Sequence, residues 1–426
     1  MLLTQRNILY PSSEDKQILD LLSYHSARLY NSCTYNIRQY YFNNNAYLQF
    51  KEQYHEIKDN ENFSLLINDS AQQVLRMVDK NFKSFFSLLK LKQKGKYSAD
   101  INVPYYLNKD TGWSIFIQGR SARIKKDGIY IGLSKNFREK YNINKKDIIV
   151  PVPKNIKHIS KLQQLQIKPT YGGKQYEIFY TYEAGEDNKT LNLSNAIGVD
   201  CGLNNLLTTY NPNNGESLII DGKKLKSVNH HFNKTKAKLQ ETYDKNGIKD
   251  INTKRFIKLS QKRKNIINDY FNRSVKSLID YCIANDIGTI VIGDFKGIKN
   301  EINMGKTNNQ NFVSIPYGIL KRKLEAKCEY YGINYVLQEE SYTSKCSSLD
   351  LEPIVKKENY SGKRVNRGLY KTNNGKLVNA DVNGACNILR KYKGKSDSDL
   401  SDTDVSGVVN HPRRSYLQKP SPLGEG

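Results

Sequence analysis

The chain has 426 residues, more than one ordinary domain holds, so two or three domains are expected. A hydrophobic fraction of 38% supports real cores, and no apolar run approaches membrane-spanning length. Lys and Arg number 67 against 42 Asp and Glu, a net charge of +25; this suits a polyanion, whose counterions are released on binding, and disfavours a cationic partner.

Residues 1–10 read as one strand. Pro11, Ser12 and Ser13 then open a helix with acids in its first turn. Leu22, Leu29, Cys33, Ile37 and Tyr40 fall near helical spacing. A polar stretch from NNN to DNEN interrupts the pattern. A second helix follows, with Val74, Val78, Phe82, Phe85 and Leu89 on one face. Residues 12–95 thus read as a helical unit inserted after the first strand. From about 100 to 190 short β-rich runs (WSIFIQG, GIYIGL, LQQLQIK, YEIFYTYE) alternate with DG and GG turns, the mark of a small antiparallel barrel or sandwich.

From about 195 the pattern becomes α/β. AIGVDCG, LLTTY and ESLIIDG read as three successive strands. A polar helical region over 223–286, broken near GIKDIN, reads as a hairpin. TIVIG (289–293) is a buried strand, Pro316 to Tyr331 a helix, INYVLQ (333–338) a strand and NGACNILRKY (383–392) a last helix. This βββ-α-β-α-β-α order is that of an RNase H-like domain. The tail from 394 is rich in Ser, Asp, Gly and Pro and is expected to be disordered.

The chemistry is expected at two carboxylates. Asp200 ends a strand and precedes Cys201-Gly202, where Gly leaves room for a phosphate. Asp381 precedes the last helical run. A turn aspartate is the plain alternative for the first and a helix N-cap for the second. Taken together in a basic chain, they favour a shared magnesium site acting on phosphodiesters. Magnesium prefers hard carboxylate oxygens. Two such ions roughly 3.5–4 Å apart activate the attacking water and stabilise the leaving oxygen. The six cysteines (Cys33, Cys201, Cys282, Cys328, Cys346, Cys386) form no C-x-x-C pair, so they read as reduced packing thiols and no structural zinc is expected. The segment MLLTQRNILYP carries no signal-peptide pattern. The 30 tyrosines could stack on bases, although core packing is the simpler reading for any one of them.

IGVDCGLNNL, TIVIGDFKG, EESYTSKCS and VNADVNGACNIL, in that order, resemble the TnpB proteins of insertion sequences, RNA-guided nucleases related to type V CRISPR effectors. SAQQVLRMVDKNFKSFFSLLK is similar to their recognition-lobe helix. The resemblance implies a multidomain α+β chain. A wedge β-barrel would occupy 1–11 and 96–190, a helical recognition lobe 12–95, and a RuvC nuclease domain 191–393 with a basic insertion at about 347–378. It further implies a cytoplasmic bacterial endonuclease with two Mg2+ ions, a guide RNA encoded by the element, and double-stranded target DNA bearing a short adjacent motif.

The first and third RuvC acids carry over onto Asp200 and Asp381. The second does not, because the family's Glu at the end of TIVIG is Gly293 here. Asp294, one residue on, could serve, although successive strand residues point to opposite faces. Glu340, or else Glu339, at the end of the neighbouring strand could supply the missing carboxylate; otherwise the site is inactive and the chain only binds DNA. The insertion lacks the family's zinc finger and is basic instead. Lys363, Arg364 and Arg367 could contact the DNA strand there, or the segment could be a solvated loop.

Overall fold

A computed structural model describes residues 1–108, 112–153, 162–294, 315–366, 368–396, 412–415 and 417. Arg367, a candidate DNA contact, lies outside the described residues. The chain forms two compact units, Met1–Ala184 and Gly185–Gly426.

In the first unit, β1 (Leu2–Leu9) pairs antiparallel with β7 (Gln175–Glu183), so the first strand belongs to a sheet otherwise built after the helices. That four-stranded sheet runs β1-β7-β6-β2, with β2 Ile115–Gln118 and β6 Leu162–Thr170. A second, three-stranded sheet holds β3 (Ala122–Ile124), β4 (Ile129–Gly132) and β5 (Asp147–Val150). The short helix α5 (Lys135–Lys140) links β4 to β5. Between β1 and β2 lie α1 (Ser13–Asn44), α2 (Phe50–Ile57), α3 (Glu61–Leu65) and α4 (Asn68–Gln93). Ser12 caps α1 by accepting from Asp15 N at 3.1 Å. The polar stretch taken for a break contains α2 and α3, whose apolar side chains are too few to show a period.

In the second unit a six-stranded sheet runs β12-β11-β8-β9-β10-β16. Its strands are β8 (Ala196–Asp200), β9 (Asn205–Tyr210), β10 (Leu218–Asp221), β11 (Thr289–Asp294), β12 (Asn334–Glu339) and β16 (Arg413–Ser415). β8 is antiparallel to β9 and parallel to β11, and β11 is parallel to β12. The hairpin helices α6 (Lys223–Lys245) and α7 (Lys254–Ala284) and the helix α8 (Tyr317–Tyr331) are followed by α9 (Ala380–Ser396). This is a multidomain α+β chain whose second unit has the mixed sheet of a RuvC-like domain.

The structure refines three expectations. The tail is not uniformly without structure: Arg413–Ser415 pair in parallel with β10, because that sheet edge offers free backbone groups. The basic insertion, left open between a DNA-contacting segment and a solvated loop, carries in its second half a three-stranded sheet of β13 (Lys363–Asn366), β14 (Leu369–Lys371) and β15 (Leu377–Asn379). It is tied down by Tyr370, whose hydroxyl donates to the Lys345 carbonyl at 2.8 Å. Finally, α9 begins at Ala380, earlier than its apolar pattern suggested. Asn379 caps it, its Oδ1 accepting from Asp381 N at 3.0 Å and Val382 N at 3.2 Å. Asp381 therefore lies inside the first turn rather than at the cap, which leaves its carboxylate available.

Candidate active site

Alternation along the strands decides which side chains meet. Gly198 and Asp200 share the face of β8 that α9 covers. The helix comes so close there that a Cβ on Gly198 would lie 2.0 Å from the Ala385 carbonyl oxygen. Only glycine admits that approach, which brings the first turn of α9 over the end of β8. A Cβ on Gly384, one helical turn beyond Asp381, would stand 3.1 Å from Asp200 Oδ2. Asp200 and Asp381 thus meet at one corner of the sheet.

The third carboxylate comes from the neighbouring pair of strands. The register Ile292↔Val199 carries Gly293 alongside Asp200, and Gly293↔Gln338 aligns β12 beyond it. Two residues after Gln338, on the same face, Glu340 turns inward. A Cβ on Gly293 would meet Glu340 Oε2 at 2.3 Å and Ile388 Cδ1 at 3.1 Å. The Glu340 carboxylate therefore fills the space that a side chain at 293 would occupy.

Glu339 points the other way. Its Oε2 accepts from Lys391 Nζ at 2.5 Å and its Oε1 from Ser341 N at 2.6 Å. Burial would raise its pKa, but the Lys391 and Ser341 hydrogen bonds prevail and hold it at about 2. Asp294 also faces away, toward α8, where Lys321 Nζ lies 3.2 Å from its Oδ1 and 2.7 Å from the Gly293 carbonyl.

The corner is electrostatically crowded. Burial first, then Asp381 and Glu340, push the Asp200 carboxyl well above its ordinary value, while Arg364 pulls in the other direction. Glu340 is raised to about 7, chiefly by burial; Lys321 opposes the rise and Asp294 and Glu339 add to it. Asp381 is held from two sides. Asn205 Nδ2 donates to its Oδ2 at 2.6 Å, and Arg364 Nη2 to its Oδ1 at 3.2 Å. Arg364, expected to touch DNA, thus rests on an acid of the site. Lys363 is exposed on β13. Sequence reasoning did not single out Asn205, Asn379, Gly198 or Gly384; each sits inside a motif already noted, but none carries chemistry of its own.

Among the described residues no three Asp, Glu, His or Cys side chains converge closely enough to hold an ion as they stand. The donor chemistry nonetheless fits a hard cation: carboxylate oxygens that repel one another, one of them displaced toward neutral pH by burial. The Thr343–Ser348 turn is docked on α9 by amides. Asn387 Nδ2 donates to the Thr343 and Cys346 carbonyls at 2.9 and 2.8 Å, and Asn383 Nδ2 to the Cys346 carbonyl at 2.9 Å. All six cysteines are free and buried.

Residues 179–299 match the family model OrfB_IS605, described as a probable transposase. Residues 317–388 match the model for the Cas12f1-like TNB domain. The TnpB-like protein ORF457 of Acidianus two-tailed virus is 24% identical over 444 residues, spanning 95% of this chain and 90% of its own. Along almost its whole length the chain is similar to TnpB proteins. Gly293, where the resemblance led to an acid being expected, carries no side chain, and the acid that follows it on β11, Asp294, faces α8. A cryo-EM structure of a Cas12f1–sgRNA–target DNA complex shares the fold, with a TM-score of 0.55 at 17% identity over 88% of this chain and 83% of that one. Among the described residues no helix is long and apolar enough to cross a membrane.

Proposed function

We propose that this TnpB-like chain is an RNA-guided DNA endonuclease that cuts target DNA beside a short adjacent motif by magnesium-dependent phosphodiester hydrolysis. One observation carries the reading: the Glu340 carboxylate fills the cradle of Gly293 next to Asp200. Asp200, Asp381 and Glu340 would hold the metal. Bound Mg2+ would supply an activated water and charge stabilisation for the leaving oxygen. The chain's own part is to bring the carboxylates together and to orient Asp381 through Asn205. Arg364 is placed to exchange Asp381 for a strand phosphate as DNA enters.

The partners follow from charge and kinship. A net charge of +25 suits guide RNA and target DNA together. Base pairing with the guide would read the target, leaving the protein to read the adjacent motif. In the first unit a cavity of about 300 Å3 is lined by Gln72, Gln73 and Arg76 of α4 and by Gln118, Arg120 and Gln163. Amide side chains suit adenine edges and guanidinium groups suit guanine. Arg120 is already engaged by Asp69 through its Nε and Nη2 at 3.0 and 2.5 Å, Gln163 Nε2 donates to Glu183 Oε1 at 2.8 Å and Arg76 stacks over the Phe50 ring, so the readers would be Gln73, Gln118 and Gln72, the last held only by a 3.3 Å bond to Asn68 Oδ1.

The test is purified ribonucleoprotein, assembled with the transcript of its own element, incubated with target DNA and Mg2+. Guide-dependent cutting supports the proposal. Tight guide-dependent binding without cutting would make the chain a DNA-binding repressor, the reading that Gly293 alone would favour. Strand joining without guide would make it a transposase, in keeping with the description of the matching family model. Within the nuclease reading, Glu340→Gln should abolish cutting and Glu339→Gln should spare it. Moving the acid back, by Gly293→Glu with Glu340→Gly, should restore part of it.

A further inference from the structure

The end of the chain returns to the site. β16 lies parallel to β10 with Leu218↔Arg413, Ile219↔Arg414 and Ile220↔Ser415 in register. Arg413 N donates to the Ser217 carbonyl at 2.8 Å. Leu417 is half-buried against the core of the sheet, and Arg273 Nη1 donates to its carbonyl at 3.5 Å. Three residues of edge strand add little stability by themselves. What distinguishes this strand is where one of its side chains reaches: Arg414 Nη1 donates to Asn205 Oδ1 at 3.2 Å.

Asn205 is 6% exposed, and its other end, Nδ2, donates to Asp381 Oδ2 at 2.6 Å. A primary amide has one acceptor end and one donor end. With the guanidinium on its oxygen, the amide must present its NH2 to the carboxylate. Turned over, it would set oxygen against the carboxylate and NH2 against a cation. Arg414 therefore fixes the one orientation in which Asn205 can hold Asp381. The link spans the sheet from its outermost strand to the first turn of α9, and an edge strand that merely covered the sheet would not need it.

We propose that Arg414 is a positioning residue of the nuclease site and that the C-terminal strand belongs to the catalytic apparatus. The inference rests on the nuclease reading. Partners that orient metal-binding groups typically matter by about 10–100-fold, which sets the expected size of the effect.

The experiment compares the full chain with Arg414→Ala, Arg414→Lys and Arg413→Ala. Three quantities are measured: single-turnover cleavage by assembled ribonucleoprotein, guide-dependent target affinity, and Mn2+ binding by calorimetry without nucleic acid. Arg414→Ala should slow cleavage about tenfold or more and weaken Mn2+ binding, with target affinity unchanged. Arg414→Lys, which keeps a donor, should recover most of the loss. Arg413→Ala removes the same charge from the same strand and should leave all three unchanged. Wild-type cleavage and Mn2+ binding in Arg414→Ala, or an equal loss in Arg413→Ala, would overturn the inference while leaving the nuclease reading intact. If the wild-type chain binds Mn2+ without cutting, the nuclease reading falls and the Mn2+ comparison alone decides the positioning role. A wild-type chain that does neither overturns both.

Discussion

Replacing Glu340 with Gln separates ionisation from shape at the corner of the sheet. Burial, opposed by Lys321 and reinforced by Asp294 and Glu339, raises this carboxyl from 4.5 to about 7. At ~1.4 kcal/mol per tenfold change in proton affinity, the ionised form costs the folded chain on the order of 3 kcal/mol. Between those two pH values the folded state keeps a proton that the unfolded state has released. The stability contributed by protonated Glu340 is therefore complete below about pH 4.5 and lost as pH rises through about 7. Gln at this position cannot ionise. Without divalent ions, Glu340→Gln should match the wild type near pH 4.5 and exceed it at pH 8 by up to about 3 kcal/mol, a rise of several degrees in melting temperature for a unit of this size. Adding Mg2+ should narrow the gap, because a cation offsets the buried charge only where the charge exists. Cleavage should fall in the same variant, so stability and activity would move in opposite directions. Calorimetric melting at the two pH values, with chelator and with Mg2+, beside a cleavage assay, checks every part. A melting difference that ignores pH, or full cleavage by the variant, would refute the argument.

Asp200→Ala and Asp381→Ala should each reduce cleavage to background while sparing guide-dependent target binding, measured by gel shift beside a cleavage time course. Arg364→Ala removes a half-exposed ion pair with Asp381, an interaction worth about 0–1 kcal/mol. Its melting temperature should barely move, while Mn2+ binding without nucleic acid tightens up to about fivefold, since an oxygen of Asp381 is released. Gln72→Ala with Gln73→Ala should cost ~1–3 kcal/mol of discrimination between adjacent motifs. A library of randomised motifs would show relaxed sequence preference rather than uniform loss of cutting.

The sequence by itself determined the strands and helices of both units where periodicity is strong. α1 and α4 carry their apolar residues at helical spacing, and β8 and β11 are continuous apolar runs of strand length. It also determined that Asp200 and Asp381 are the acids to watch, because each lies where regular structure begins or ends in a motif rich in small residues. It left open which of Glu339 and Glu340 turns inward and whether Arg364 sits on a DNA-contacting element or a solvated loop, and it expected the tail to be disordered. Those matters were decided by tertiary structure. One residue of register on β12 sends Glu340 inward over Gly293 and Glu339 outward to Lys391, and register depends on pairing with β11 rather than on local preference. Arg364 and Arg414 find Asp381 and Asn205 only because a three-stranded insertion and an edge strand, both far along the chain, fold back onto the same corner. Helical and strand periods are local and can be read from neighbouring residues. The convergence of charges separated by more than a hundred residues depends on how the sheet closes, which no short stretch of sequence records.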